Sequence, residues 1–245
     1  MPIIYLSPST QEGNRYVTGS GTEEQWMNRL ADAMVPYLNA SGIRYTRNTP
    51  DMTAASSIRQ ANQGYYDFYL ALHSNAAGVG NYGGERGVIA FYYPGSSQGQ
   101  RAAQIFANNL QDIYPEPGRV YTRATTTLGE VRDSRFPAVL LEIAYHDNRE
   151  DAHWIESNIT AIAQNLVLSL TDYFDLPFIW PSDPWQGTVN APDGTLNLRS
   201  RPEGDAYIIT AIPDGAQVMV YGEYQGWYVV RYGSYAGYAA GSFIS

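Results

Sequence analysis

The chain has no cysteine and no lysine among its 245 residues; all 15 of its cationic side chains are arginine. Without cysteine there is no disulfide, no thiolate nucleophile and no thiolate metal site, a usage that fits a protein working outside the cell. Without lysine there is no Schiff base, no pyridoxal attachment point and no P-loop lysine. Positive charge is scarce in total as well. A formal charge of -9 offers no basic field for a phosphate backbone, so nucleic acid and anionic membrane are poor partners. Long hydrophobic runs are also missing. No apolar span reaches 18 residues, and the opening MPIIYLSPSTQEGN has neither the charged n-region nor the apolar h-region of a secretory leader. Histidine is rare enough to count: any site that needs imidazole must use His73, His146 or His153.

The length suits one medium domain and a small one. The break falls at DLPFIWPSDPWQG, where Pro177, Pro181 and Pro184 interrupt a helical pattern, so residues 177–185 are expected to be a linker between a domain at 1–176 and another at 186–245. Before it, apolar runs alternate with helical periodicity. Strands are predicted at 3–6, 43–46, 67–72, 87–93 and 137–143. Helices are predicted from an N-cap at Thr22 to Gly42 with a kink at Pro36, then at 53–63, 100–113 and through Ile155 to Phe174. The alternation predicts an α/β fold, a three-layer arrangement with helices on both faces of a largely parallel sheet. After the linker, short strands separated by Gly, Pro and Asp turns predict a small all-β barrel.

Ligands of open α/β sheets bind beyond the carboxyl ends of the strands. Two predicted strands end in titratable groups there: FYLAL runs into His73, and AVLL runs into Glu142. If those strands are neighbours, both side chains enter one crevice. A carboxylate after four apolar residues is costly to bury without a partner or a task. Glu23 and Glu24 open the first long helix, where acidic residues also simply complement the helix dipole. His146, in EIAYHDN, lies just before another helix start, and His153 falls on a polar helical face exposed to solvent. Two carboxylates and two histidines suit a zinc site with an open position for water, although spacing alone does not specify it, since no HExxH is present. A rival is GSSQG at 95–99, which fits G-x-S-x-G and would make Ser97 a nucleophile; the same string also reads as a loop with Ser97 as N-cap.

Taken in order, LSPSTQEGN, GTEEQWMNRLA, YLALHSNA and AVLLEIAYHDN followed by EDAHWI resemble the zinc-dependent N-acetylmuramoyl-L-alanine amidases over about residues 3–174, and most closely a branch with an SPSxQ opening found in clostridial and phage cell-wall lysins. LNLRSRP, DGAQVMV and GWYVVRYGSYAGYAAGSFI resemble bacterial SH3-like modules over about 186–245, which commonly bind peptidoglycan; Trp227 there is expected in the core. The resemblance implies a peptidoglycan hydrolase acting at the cell wall or outside the cell, as a mature secreted chain or a phage endolysin. It also implies Zn2+ as cofactor, Glu23 and His73 as metal ligands and Glu142 as the catalytic carboxylate. One departure stands out. Where most of the family has a histidine ligand after the first strand, this chain has SPSTQE. His146 is the favoured replacement, because zinc prefers imidazole nitrogen to an amide oxygen; Gln11 is second and Glu12 third. The lost histidine also admits an inactive scaffold that only binds the wall.

Overall fold

The structure is a computed structural model that describes every residue except Asp193. The chain divides into two compact units: residues 3–34 with 45–173, and residues 1–2 and 35–44 with 174–245.

The first unit is built on a six-stranded mixed sheet. In chain order its elements are β1 (Ile3–Pro8), α1 (Glu23–Ala40, whose last turns belong to the second unit), β2 (Arg44–Arg47), α2 (Ala54–Gln63), β3 (Phe68–Asn75) and β4 (Val88–Tyr92). There follow α3 (Ser97–Gln111), β5 (Val120–Ala124), α4 (Gly129–Arg132), β6 (Ala138–Tyr145) and α5 (Arg149–Phe174). The strand order is β2-β1-β3-β6-β4-β5. β1, β3 and β6 run parallel, whereas β4 is antiparallel to β6 and parallel to β5. The central strands β3 and β6 are apolar on both faces, as buried parallel strands must be, and all but the last residue of β3 is buried. Alternate residues of β3 meet different helices. Phe68 stacks on Phe106 of α3 and touches Tyr173 of α5. Tyr69 and Ala71 share a core with Tyr5, with Ala61 of α2 and with Val131 of α4. The expected three layers follow, and His73, two residues beyond Ala71, belongs to the α2 and α4 face.

Helix ends behave as their sequences require. Thr53 caps α2 by accepting from the Ser56 backbone N–H while the Ser56 hydroxyl accepts from that of Thr53. The N-cap of α3 is Ser96 rather than Ser97: the Ser96 hydroxyl accepts from the Gly99 backbone N–H at 3.0 Å. α1 continues through Pro36 to Ala40, and Gly42 follows at φ +73°.

In the second unit, β7 (Trp185–Thr188), β8 (Thr195–Arg199), β9 (Ile208–Pro213), β10 (Gln217–Tyr224), β11 (Trp227–Tyr232) and β12 (Tyr235–Ala240) form an antiparallel sheet in the order β7-β10-β11-β12-β8-β9. Its core is Val189, Leu196, Leu198, Ile212, Val218, Val220, Val230 and Ile244. A second cluster joins Ala40, Ile179, Val229 and Tyr238, with Trp227 packed at its edge. Ile179, within the stretch expected to be a linker, is thus buried, and its backbone N–H donates to the Ser41 hydroxyl. Gly222 sits where β10 bulges, and a Cβ there would lie 2.9 Å from the Ala40 carbonyl oxygen, which explains the residue choice.

Candidate active site

Register sets the first contact. His73 and Glu142 are directly paired between the parallel strands β3 and β6, so their side chains share a face. The expected convergence of two strand ends is therefore met. Glu23 comes from the first turn of α1, held by its backbone N–H to the Asn14 carbonyl, and lies 99% buried. One of its oxygens is 2.8 Å from His73 Nδ1, and the other accepts from Asn14 Nδ2 at 2.6 Å.

The second ring nitrogen of His73 has a partner that the sequence did not point to. Nε2 lies 2.8 Å from the buried carboxylate of Glu130 in α4, whose other oxygen accepts from the Ser7 hydroxyl at 2.7 Å and the Tyr69 hydroxyl at 2.8 Å. This carboxylate is fully satisfied, which makes its burial tolerable.

Electrostatics separates the carboxylates into two kinds. Burial pushes the Glu23 carboxyl up, but its hydrogen bond and attraction to His73, helped by Asn14, overcome that and hold it below its usual range. Glu130 behaves alike: burial opposes ionisation, and His73, Ser7 and Tyr69 outweigh it. Burial also disfavours the His73 cation, yet Glu130 and Glu23 raise its pKa well above the ordinary value. Glu142 is different. Burial, reinforced by repulsion from Glu23 and Glu130 and only partly offset by His73, pushes it up to about 7, and its buried Oε2 has no hydrogen-bond partner. A carboxyl poised near neutrality with a free oxygen can both take and return a proton at physiological pH.

His146 is 95% buried on a different set of partners. Its Nδ1 lies 2.9 Å from the Ser74 carbonyl oxygen and 3.1 Å from the Ser74 hydroxyl, and its ring stacks on Tyr16 at 5.6 Å between centroids. No hydrogen bond joins it to Glu23 or His73, and among the described residues no three His, Asp or Glu side chains are grouped to hold an ion. Gln11 is the residue that reaches His73: its amide nitrogen is 3.4 Å from Nδ1, and its amide oxygen accepts from Asn14 Nδ2 at 3.0 Å. The remaining residues of the HDN block are structural. Asp147 accepts from the Ala77 and Gly83 backbone N–H groups, and Asn148 caps α5. His153 is exposed beside Glu156. Ser97 is exposed and, among the described residues, hydrogen-bonded to no histidine or carboxylate, which leaves it without a base.

The donors fit a zinc ion in chemistry, with a weaker third position. When Nε2 of a neutral His73 donates its hydrogen bond to Glu130, the Nδ1 lone pair faces Glu23, so two electron-pair donors meet 2.8 Å apart and must spread apart slightly to hold a cation in place of a proton. Donors on one tetrahedral zinc ion, each about 2.1 Å from it, lie roughly 3.4 Å apart. The Gln11 amide stands at that distance from Nδ1, and rotating it by half a turn presents its oxygen.

Comparison with known proteins agrees with this architecture. Residues 8–172 match the family model described as N-acetylmuramoyl-L-alanine amidase, and residues 194–245 match the bacterial SH3 domain. The chain belongs to the N-acetylmuramoyl-L-alanine amidase family. No curated protein matches it. Among solved structures, the N-acetylmuramoyl-L-alanine amidase from Clostridium difficile 630 superposes with a TM-score of 0.62 at 16% identity, over 71% of this chain and 97% of that one. The catalytic domain of the amidase CwlV from Bacillus (Paenibacillus) polymyxa gives 0.62 at 17%, over 72% and 100%. The catalytic domain of the CD27L endolysin targeting Clostridium difficile gives 0.56 at 21%, over 70% and 98%. At these identities the superpositions speak for the fold of this amidase, and the family match carries its membership.

Proposed function

We propose that this amidase hydrolyses the amide between the lactyl group of N-acetylmuramic acid and the L-alanine of the stem peptide, with a zinc ion held by Glu23, His73 and a third donor. The observation that carries the reading is Glu142, a half-buried carboxylate with one buried, unpartnered oxygen, in register with a histidine that is itself clasped by two glutamates. Bound there, zinc would activate a water and polarise the scissile carbonyl. Glu142 removes the proton from the attacking water and returns it to the departing alanine nitrogen, so one residue is base and then acid. Glu130 keeps the proton on Nε2 of His73 and fixes the ring, so that Nδ1 remains the donor. Gln11 is the third donor that its position favours, and His146, though better in softness, is held by Ser74 and Tyr16.

Glu142→Ala is expected to slow dye release from labelled cell walls by about 100-fold or more, since general acid-base catalysis contributes at least that much, while zinc content stays unchanged. Equal lysis by the variant removes Glu142 from the mechanism. Zinc stoichiometry on Gln11→Ala and His146→Ala assigns the third donor. The SPSTQE turn, with no histidine after β1, favours a second reading, an inactive scaffold that binds the wall through its SH3 domain; failure of the intact chain to hold zinc and to release dye selects it. The SH3 domain serves in either case to keep the chain near an insoluble wall, raising its local concentration there.

A further inference from the structure

A groove leads away from Glu142 across the sheet, and its far end carries a cation that no carboxylate among the described residues pairs with. The groove has a volume of about 380 Å³, within the range of small-ligand sites. Ile89 and Phe91 of β4 form its floor, Glu142 lies at one end, and Arg123 of β5 stands at the other. Register fixes this order. Glu142 pairs with Ile89, and Phe91 pairs with Arg123, so Glu142, Ile89, Phe91 and Arg123 all project from the same face. Arg123 lies two strands across and two residues along from Glu142, which at ordinary strand spacing and rise places the two Cα atoms about 12 Å apart.

Arg123 is exposed but not loose. Its guanidinium lies over the Tyr121 ring at 5.4 Å and the Phe91 ring at 5.9 Å, and Nη2 donates to the Tyr121 hydroxyl at 3.2 Å. Among the described residues it makes no ion pair, although Glu85 also lines the groove and Glu142 lies at its end; Arg86, by contrast, pairs with Glu116, Glu150 and Asp151. Two aromatic rings orient the planar fork while its remaining N–H donors stay open, which is the arrangement that receives a carboxylate in two parallel hydrogen bonds.

We propose that Arg123 is a substrate-binding residue that takes a free carboxylate on the peptide side of the scissile amide, two residues along from the cleaved bond. The assignment rests on the hydrolase reading above, which puts the scissile carbonyl at Glu142. From there an extended peptide covers roughly 7 Å in two residues, and the arginine side chain spans the rest of the separation. The groove thereby selects for acidic over amidated peptide chains.

The test uses the intact, zinc-loaded chain and two N-acetylmuramoyl-L-alanyl dipeptides that differ only at the main-chain terminus of the second residue, a carboxylate in one and a carboxamide in the other. Wild type is expected to favour the acid about tenfold in kcat/KM, chiefly through KM, because hydrogen bonds to charged groups exceed neutral ones. Arg123→Gln brings the ratio close to one, and Arg123→Lys keeps a reduced preference. Binding of the same two peptides to the Glu142→Gln chain provides a readout that needs no turnover. Equal use of both peptides by wild type, or an undiminished preference in Arg123→Gln, overturns the role of Arg123 and leaves the hydrolase reading standing. Preferential binding of the acid without cleavage by wild type supports Arg123 and sinks the hydrolase reading. Absence of both binding and cleavage overturns both.

Discussion

At the scale of single residues, Glu142 imposes a cost on the fold that the proposed proton transfer would require. Its carboxyl is raised from an ordinary 4.5 to about 7, mainly by burial. Below the lower value it is protonated in folded and unfolded chains alike and costs nothing. Above the upper value it is ionised in both, and the folded state bears the full penalty, so this group lowers stability as pH rises from about 4.5 to 7. Glu142→Gln in metal-free protein should therefore raise Tm at pH 8 by about 3 °C or more and at pH 5 by clearly less, measured by calorimetry in the presence of a chelator. Partial access to the groove keeps the gain to about 1 to 2 kcal/mol, and for a chain of this size each kcal/mol moves Tm by about 2 to 4 °C. A larger gain at pH 5 would reverse the sign and contradict the burial argument.

Glu130 makes the complementary case. Because it fixes the proton on His73 Nε2, Glu130→Gln should weaken zinc binding by about 10- to 100-fold in a competition titration, the usual effect of removing a carboxylate behind a histidine ligand. Unaltered affinity would leave Glu130 a structural residue only. The contrast between these residues also shows what a sequence can disclose. Glu142 and His73 were legible because each follows directly on an apolar run, and Glu23 because it opens a helix in a family-like motif. Glu130 was not, for its partners lie 57, 61 and 123 positions away along the chain, and a four-residue helix has no periodicity to mark it.

At the scale of elements, hydrophobic runs located the buried strands well, and β3 and β6 fall within a few residues of their expected bounds. The run VIAFY could not reveal that β4 is antiparallel to β6, because an apolar strand reads the same in either direction. β5 escaped notice as a short edge strand with mostly exposed side chains. The start of α5 shows how an apparently ordinary acidic first turn can anchor a site wall. Asp151, fully buried, accepts from Arg86 Nε, the Tyr114 hydroxyl and the backbone N–H groups of Gly87 and Tyr145. Asp151→Ala strands those donors, and a loss of about 3 kcal/mol or more in denaturant unfolding is expected, against well under 1 kcal/mol for a residue that merely complements a helix dipole.

At the scale of the whole molecule, the sequence placed a domain boundary at the prolines, and the compact units are less linear than that. Residues 35–44 and the first two residues pack with 174–245, because Ala40 and Met1 join Ile179, Val229 and Tyr238 in one apolar cluster. Such a contact joins segments distant in sequence and leaves no local pattern. Among the described residues no helix is long and apolar enough to cross a membrane, and the chain as given bears a charge of -9. Everything in this account depends on Glu23 and His73 sharing one cation opposite Glu142. The direct measurement is the rate of dye release from labelled cell walls by the intact chain after exhaustive chelation and after zinc is returned. The account predicts that release stops when metal is stripped and recovers with about one zinc per chain; release at the full rate from a metal-free preparation would contradict it.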